Sequence, residues 1–250
     1  MSGHSKWHSI KHKKGAADSA RGKLFAKLIR QIEVAAREGG PDPDANPTLR
    51  TMVGKARDAS VPADTIDRAI KRGTGQLDGV RYEQVTYEGY APHGVAVLVE
   101  CLTPNRNRTG AEVKNVFTRL GGSLAEPGAV SWQFERKGVV VVAKSAASED
   151  DLMLTALEAG AEDITDQGDT WQVTTGPTDL HRVREALVGA GIPVVSAEPL
   201  MLATTTVPLT DRAGAKAVLR VIDALEEHDD VQTVNANFDI PDDVLEAVMA

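Results

Sequence analysis

The sequence is short of the features that most often announce a mechanism. Cys101 is the only cysteine among 250 residues, which excludes an intramolecular disulfide and gives no sign of an oxidising compartment. The longest apolar run, Gly138 to Ala143 (GVVVVA), falls far below the roughly 18 residues of a membrane helix. The basic start leads into polar residues rather than an apolar core, and it is Lys-rich where a mitochondrial presequence is Arg-rich. Neither a secretory nor a mitochondrial leader is expected, and the expected location is the cytoplasm. No Gly-rich phosphate loop of Walker or Rossmann type is present.

What is present is an uneven charge. The chain carries a net charge of −8, yet residues 1–30 hold six Lys, two Arg, three His and one acid, Asp18. Over residues 1–75 there are 15 Lys+Arg against 8 Asp+Glu, net +7, while the remainder has 13 against 28, net −15. Such asymmetry suggests that one end meets a polyanion. The acidic remainder argues against a protein that coats nucleic acid with its whole surface. A hydrophobic content of 42% and a charged content of 26% describe an ordinary globular chain of about two domains, or three small ones.

Hydrophobic periodicity divides the chain. Residues 21–37 place Phe25, Leu28, Ile29 and Ile32 on one helical stripe and Lys23, Lys27, Arg30 and Arg37 opposite, so a helix with its cations outward is expected. GGPDPDANP at 39–47 ends it. A second helix is predicted from Pro47, capped by Asn46, with Leu49, Met52, Val53 and Ala56 inward. A third starts near Pro62, buries Ile66, Ala69 and Ile70, and stops at RGTG, 72–75.

After Gly79 the period changes to two. Residues 82–90 and 94–102 read as paired strands, the second carrying Val95, Val97, Val99 and Cys101 on one face. A helix from Thr109 to Leu120 and a strand near Val130 to Phe134 follow. From Gly138 to Leu200 the order is βαββαβ, the ferredoxin-like split arrangement. A strand in ATTTVPL (203–209), a helix from Asp211 to about Glu227 and a strand from Val231 to Phe238 would complete a second such set. The expected fold is α+β: an N-terminal three-helix domain, 1–79, followed by two ferredoxin-like βαββαβ domains, one inserted in the other. The discontinuous middle domain is 80–136 plus 203–250, and the inserted one is 137–202.

Four constellations bear on chemistry. Cys101 could be a nucleophile, but it continues a Val stripe, and a small buried hydrophobe fits better than a thiolate in need of an electropositive, open setting. EEHDD at 226–230 offers carboxylates and His228 to a cation, yet reads as a solvated helix end. His4, His8 and His12 share the spacing of one helix face, but Lys6, Lys11, Lys13 and Lys14 around them oppose a metal ion, and no metal or other cofactor is expected. KGVVVV resembles the core strand of an RNA-recognition module, with Val where stacking aromatics belong.

The nucleic-acid reading asks for the least. Lys6, Lys11, Lys13, Lys14, Arg21, Lys23, Lys27 and Arg30 supply cations for phosphates, and Trp7 supplies a stacking face; the alternative is a solvated basic tail. In TPNRNRTGAEV, 103–113, Thr109 and Glu112 have the spacing of a capping box. Arg106 and Arg108 beside it suit a secondary anion site or a salt-bridged interdomain contact.

GHSKW (3–7), RGKLFAKLIR (21–30), DPDANPTLR (42–50), RAIKRGTG (68–75), YEGYAPHG (87–94), NRNRTGAEV (105–113) and the segment 219–241 together resemble the YebC family over nearly the whole chain. The resemblance implies a three-domain α+β protein with no known catalytic activity. Bacterial members are labelled probable transcriptional regulators that bind DNA, whereas mitochondrial relatives are translational activators, which points to the ribosome. It carries the family's N-terminal signature onto Lys6, Trp7 and the Lys/Arg set as far as Arg30. The expectation is a non-enzymatic, nucleic-acid-binding regulator of gene expression, with DNA or ribosomal RNA as partner. No recognition helix or dimer seam of the kind that reads paired half-sites stands out, which favours folded RNA and a monomer.

Overall fold

The computed structural model describes residues 18–249, with side chains from residue 22 to residue 248. The predicted cations Lys6, Lys11, Lys13 and Lys14, together with Trp7 and the three N-terminal histidines, lie outside the described residues, as does the side chain of Arg21. The described chain is mixed α+β, a helical N-terminal region followed by β-rich parts. It forms two compact units that the chain crosses more than once. One comprises 18–129 with 216–234, the other 130–215 with 235–249.

The first unit opens with three helices, α1 (Asp18–Gly39), α2 (Pro47–Asp58) and α3 (Ala63–Gly73). Leu28, Ile32, Leu49, Val53, Ala56, Ile66 and Ala69 form their core, with Phe25, Ile29, Met52 and Ile70 half-buried against it, as the periodicity requires. Gly40, at φ +88°, ends α1 by donating its N–H to Ala36 O, a left-handed conformation that glycine adopts without strain. Asn46 ties the two helix ends together: its Oδ1 accepts from Leu49 N–H at 3.0 Å, while its Nδ2 donates to Ala35 O at 2.8 Å and Gly40 O at 3.0 Å. The motif DANP is thus an N-cap that also satisfies carbonyls at the end of the preceding helix.

Gly73 lets α3 close on α1, because a Cβ there would sit 2.4 Å from Glu33 O and 2.9 Å from the Ala36 Cβ. Gly73→Ala is therefore expected to destabilise the helical region by about 1–3 kcal/mol, measured by thermal or urea unfolding.

A four-stranded sheet in the order β3-β1-β2-β9 follows, built from β1 (Glu83–Tyr90), β2 (Ala96–Thr103), β3 (Ser123–Ala125) and β9 (Val231–Ala236). Both β1–β2 and β1–β3 are antiparallel. Helix α4 (Arg106–Arg119) buries Val113 and Phe117, and α7 (Arg212–Glu226) buries Val218, Ile222 and Leu225 at helical spacing. The route differs in detail from the expected one: β1, which precedes β2, lies between β2 and β3. Not only the Val95, Val97, Val99, Cys101 stripe but also Ala96, Leu98 and Leu102 are buried, so β2 is apolar on both faces.

The second unit holds β4 (Phe134–Ala143), α5 (Glu149–Glu158), β5 (Ala161–Asp166), β6 (Thr170–Thr175), α6 (Leu180–Gly189) and β7 (Val194–Ala203). The strand order β5-β6-β4-β7, antiparallel throughout, is that of the split βαββαβ arrangement. Val140, Val142, Leu152, Ala156, Trp171, Val173, Val183 and Leu187 fill its core.

Three local expectations are corrected. Residues 131–133 form a short 3-10 turn rather than a strand, and β4 runs without a break from Phe134 into the Val run. Gly138, the expected first residue of that strand, lies inside it, where its bare Cα accommodates Thr175 Cγ2 and Leu180 Cβ, 2.8 and 2.9 Å from where a Cβ would lie. ATTTVPL does not form one strand: Ala203 ends β7, and Val207–Pro208 form β8, which pairs in parallel with β10 (Phe238–Asp239) as a separate ribbon. A terminal helix, α8 (Asp242–Met249), adds to the expected elements, with Asp242 and Asp243 in its first turn.

Candidate functional site

The cations of α1 and the acidic turn after α7 belong to one unit, and they meet. At the C-terminus of a helix the last carbonyls lack intrahelical partners and carry the negative end of the helix dipole. α7 ends at Glu226, and the carbonyls just there and beyond receive the basic face of α1. Lys27 Nζ donates to Glu226 O at 3.0 Å and Lys23 Nζ to Glu227 O at 3.2 Å. Arg30 donates to Asp229 O, lies 3.4 Å from Asp230 Oδ1 and sits over the Tyr82 ring at 5.7 Å. The cations stand opposite the apolar stripe as expected, with Lys23 exposed, but Lys27 and Arg30 are half-buried, and the i, i+4, i+7 spacing aligns all three with a helix end of the same chain. EEHDD is only in part a solvated end: Glu227 and Asp229 are exposed, but Asp230 is buried and the α1 cations converge on the turn. Arg37, further along, donates to Val80 O at 3.2 Å.

Asp230 is the hub of this region, and its side chain is only 3% exposed. Its Oδ2 accepts from Thr109 Oγ1 at 2.7 Å, Thr103 Oγ1 at 3.1 Å and Arg108 at 2.5 Å. Its own N–H donates to His228 Nδ1 at 3.1 Å, and His228 Nε2 is 2.7 Å from Glu112. Arg108 thus sits in a salt bridge with Asp230, half-exposed, and hydrogen bonding to that carboxylate raises the guanidinium pKa. Arg106 is exposed, and its carbonyl accepts from Tyr87 OH at 2.9 Å. Burial, followed by the nearby Cys101, pushes the Tyr87 hydroxyl pKa up.

The predicted capping box is corrected. Asn105, not Thr109, caps α4, its side chain accepting from Arg108 N–H at 3.1 Å. Thr109 lies inside the helix with its hydroxyl on Asp230, and Glu112 turns to His228. The sequence offers Asp230 and His228 only as carboxylate and imidazole of a cation-binding or solvated helix end, not as partners of Thr103, Thr109, Arg108 and Glu112. Their one visible signal was a polar cluster following an amphipathic helix.

Burial pushes the Asp230 carboxyl upward, but hydrogen bonds from Thr109, Arg108 and Thr103, with the Arg108 charge, outweigh it and hold the pKa below the ordinary carboxylate value. A carboxylate whose folded pKa is depressed contributes stability above its unfolded value, about 3.9, and loses it as pH falls through the folded value. Unfolding measured from pH 6 downward is expected to show this stability declining below about pH 4, and a Asp230→Asn variant to show a smaller acid-side decline.

Cys101 is buried, and burial, followed by the nearby Asp230 charge, pushes its thiol pKa up to about 12. Such a thiol supplies almost no thiolate near neutral pH, the opposite of a nucleophile's setting. Among the described residues no group of three His, Cys, Asp or Glu side chains is placed to hold a metal ion. Among them, too, no helix is long and apolar enough to cross a membrane.

Between α1 and the 226–230 turn lies a cleft of about 310 Å³, lined by Gly22, Lys23, Ala26, Lys27, Arg30, His228 and Asp229. The arrangement has the chemistry of an anion seat: three cations with small residues, Gly22 and Ala26, on the helix floor.

Comparison with known proteins covers nearly the whole chain. Residues 5–76 match the TACO1/YebC protein N-terminal domain, and residues 82–238 match the TACO1/YebC second and third domain. A probable transcriptional regulatory protein of Acidothermus cellulolyticus is 56% identical over 249 residues, covering 99% of this chain and 100% of that protein. A protein of the same description from Saccharopolyspora erythraea is 56% identical over 251 residues, covering 100% of both. The crystal structure of a conserved hypothetical protein from Aquifex aeolicus superposes with a TM-score of 0.81 at 48% identity, covering 90% of this chain and 93% of that one.

Proposed function

Since the chain belongs to the TACO1/YebC family, we propose that it is a non-enzymatic, nucleic-acid-binding regulator of gene expression, acting in the cytoplasm through its basic N-terminal segment. The observation that carries this reading is the net +7 of residues 1–30 on a chain of net −8. Lys6, Lys11, Lys13, Lys14, Arg21, Lys23, Lys27 and Arg30 are the phosphate contacts, and Trp7 is the stacking face. Regulation is supported by the description that the relatives share, probable transcriptional regulatory protein. The buried, protonated thiol of Cys101 supports a binding role over covalent catalysis.

A second reading, a ribosome-associated translation factor contacting ribosomal RNA, is favoured by the way α1 uses its cations. Reading a duplex sequence requires side chains laid along base edges in the major groove. Lys23, Lys27 and Arg30 instead gather around one cleft, an arrangement suited to backbone and shape contacts with folded RNA. In-cell crosslinking followed by sequencing separates the two. Reads on ribosomal RNA support the translation factor, reads at promoters support the transcriptional regulator, and recovery of neither above background overturns both.

A further inference from the structure

Lys23 and Lys27 donate to the peptide carbonyls of Glu227 and Glu226, and Arg30 donates to that of Asp229 with the Asp230 carboxylate 3.4 Å away. A peptide carbonyl presents a partial charge, whereas a phosphodiester oxygen presents a full one and forms shorter, roughly twice as strong hydrogen bonds with ammonium and guanidinium groups. The cleft that these cations border is about 310 Å³, and Gly22 and Ala26 on its floor leave a ligand oxygen room to approach the helix. A Cβ added at Gly22 would meet no atom within 4 Å, so the floor is open there. Asp229 stands at the same cleft with an exposed carboxylate, which opposes an incoming anion.

From these observations we propose that the cleft between α1 and the 226–230 turn is a phosphodiester seat guarded by the chain itself: the carbonyls of Glu226, Glu227 and Asp229, with the Asp230 carboxylate beside Arg30, hold Lys23, Lys27 and Arg30 until a nucleic-acid phosphate takes the cations from them. The proposal rests on the nucleic-acid reading above and adds to it a defined seat and an internal competitor. Asp229 raises the threshold for entry, so binding responds to the multivalent charge of a polynucleotide more than to a single phosphate. The turn stays in place because Asp230, its neighbour, is fixed by Thr103, Thr109 and Arg108. Exchange at the seat therefore changes which oxygen each cation faces, while the sheet behind it is unaltered.

The test is a two-by-two comparison on the full chain, with a fluorescent 20-nucleotide single-stranded RNA as probe at low and at physiological salt. Asp229→Asn is expected to tighten binding about fivefold, as one opposing charge is removed. Lys23→Gln with Lys27→Gln is expected to weaken it at least about tenfold and to flatten the salt dependence by roughly 1.4 in log–log slope, the share of two single-strand phosphate contacts. Lys27→Arg should keep the affinity. With the three changes combined, the gain from Asp229→Asn should vanish, because the seat it guards is gone.

An undiminished gain in the Lys-to-Gln background would mean a general field effect and would overturn the guarded seat. Unchanged affinity of Lys23→Gln/Lys27→Gln, with the wild type still binding, would also overturn the seat while leaving the nucleic-acid reading standing. No binding by the wild type to this RNA or to duplex DNA of the same length would overturn that reading itself. Matching circular-dichroism melts establish that each variant is folded.

Discussion

Arg72→Met is expected to destabilise the helical N-terminal region by about 3 kcal/mol in urea or thermal unfolding. Glu33 lies inside the bundle with its side chain 4% exposed, and Arg72 Nε stands 2.6 Å from its Oε1. Taking a carboxylate out of water costs several kcal/mol, and its cation offsets that cost only while it is present. Removing Arg72 leaves the cost without the compensation. Replacing both partners, Glu33→Leu with Arg72→Met, should recover most of the loss, because the buried charge goes too. A double-mutant cycle that finds the two changes simply additive would show that the pair is not coupled. The effect reaches function because Glu33 and the three cleft cations share α1.

The second large effect is expected at Asp230. Asp230→Ala should cost on the order of 2–3 kcal/mol, since it leaves the hydroxyls of Thr103 and Thr109 without the acceptor that both now use. Asp230→Asn should cost less, its amide oxygen still accepting from those hydroxyls. The Ala variant should also weaken the hold on Arg30, 3.4 Å from Asp230 Oδ1. Equal stability of Ala variant and wild type at pH 7 would contradict the role of Asp230 as the hub of the α1, α4 and β2 contacts.

The sequence makes much of this legible where one physical signal dominates. The 3.6-residue stripes of α1 to α3, the Asn46 cap before Pro47 and the βαββαβ order of β4 to β7 follow from periodicity and end signals. Where two signals compete, local reading fails. Gly138 reads as the start of a strand but lies inside β4, where it serves close packing. Thr109 has capping-box spacing, yet Asn105 reaches the free N–H of Arg108 first and releases Thr109 for Asp230.

The site was half legible. Lys23, Lys27 and Arg30 stood out by charge and spacing. Their partners lie about two hundred positions away, and backbone carbonyls at a helix end leave no trace in side-chain composition. Arg108 was visible as a cation beside a helix start, but its choice of Asp230 over a free anion depends on tertiary placement.

The most direct test of the central claim, that this protein engages nucleic acid through its basic N-terminal segment, is an equilibrium titration of labelled RNA and duplex DNA against the full chain and a version lacking residues 1–30. The account predicts binding by the full chain that weakens steeply as salt rises, with most of the affinity and most of the salt slope lost in the shortened version. Equal affinity and equal slope for the two proteins would contradict it.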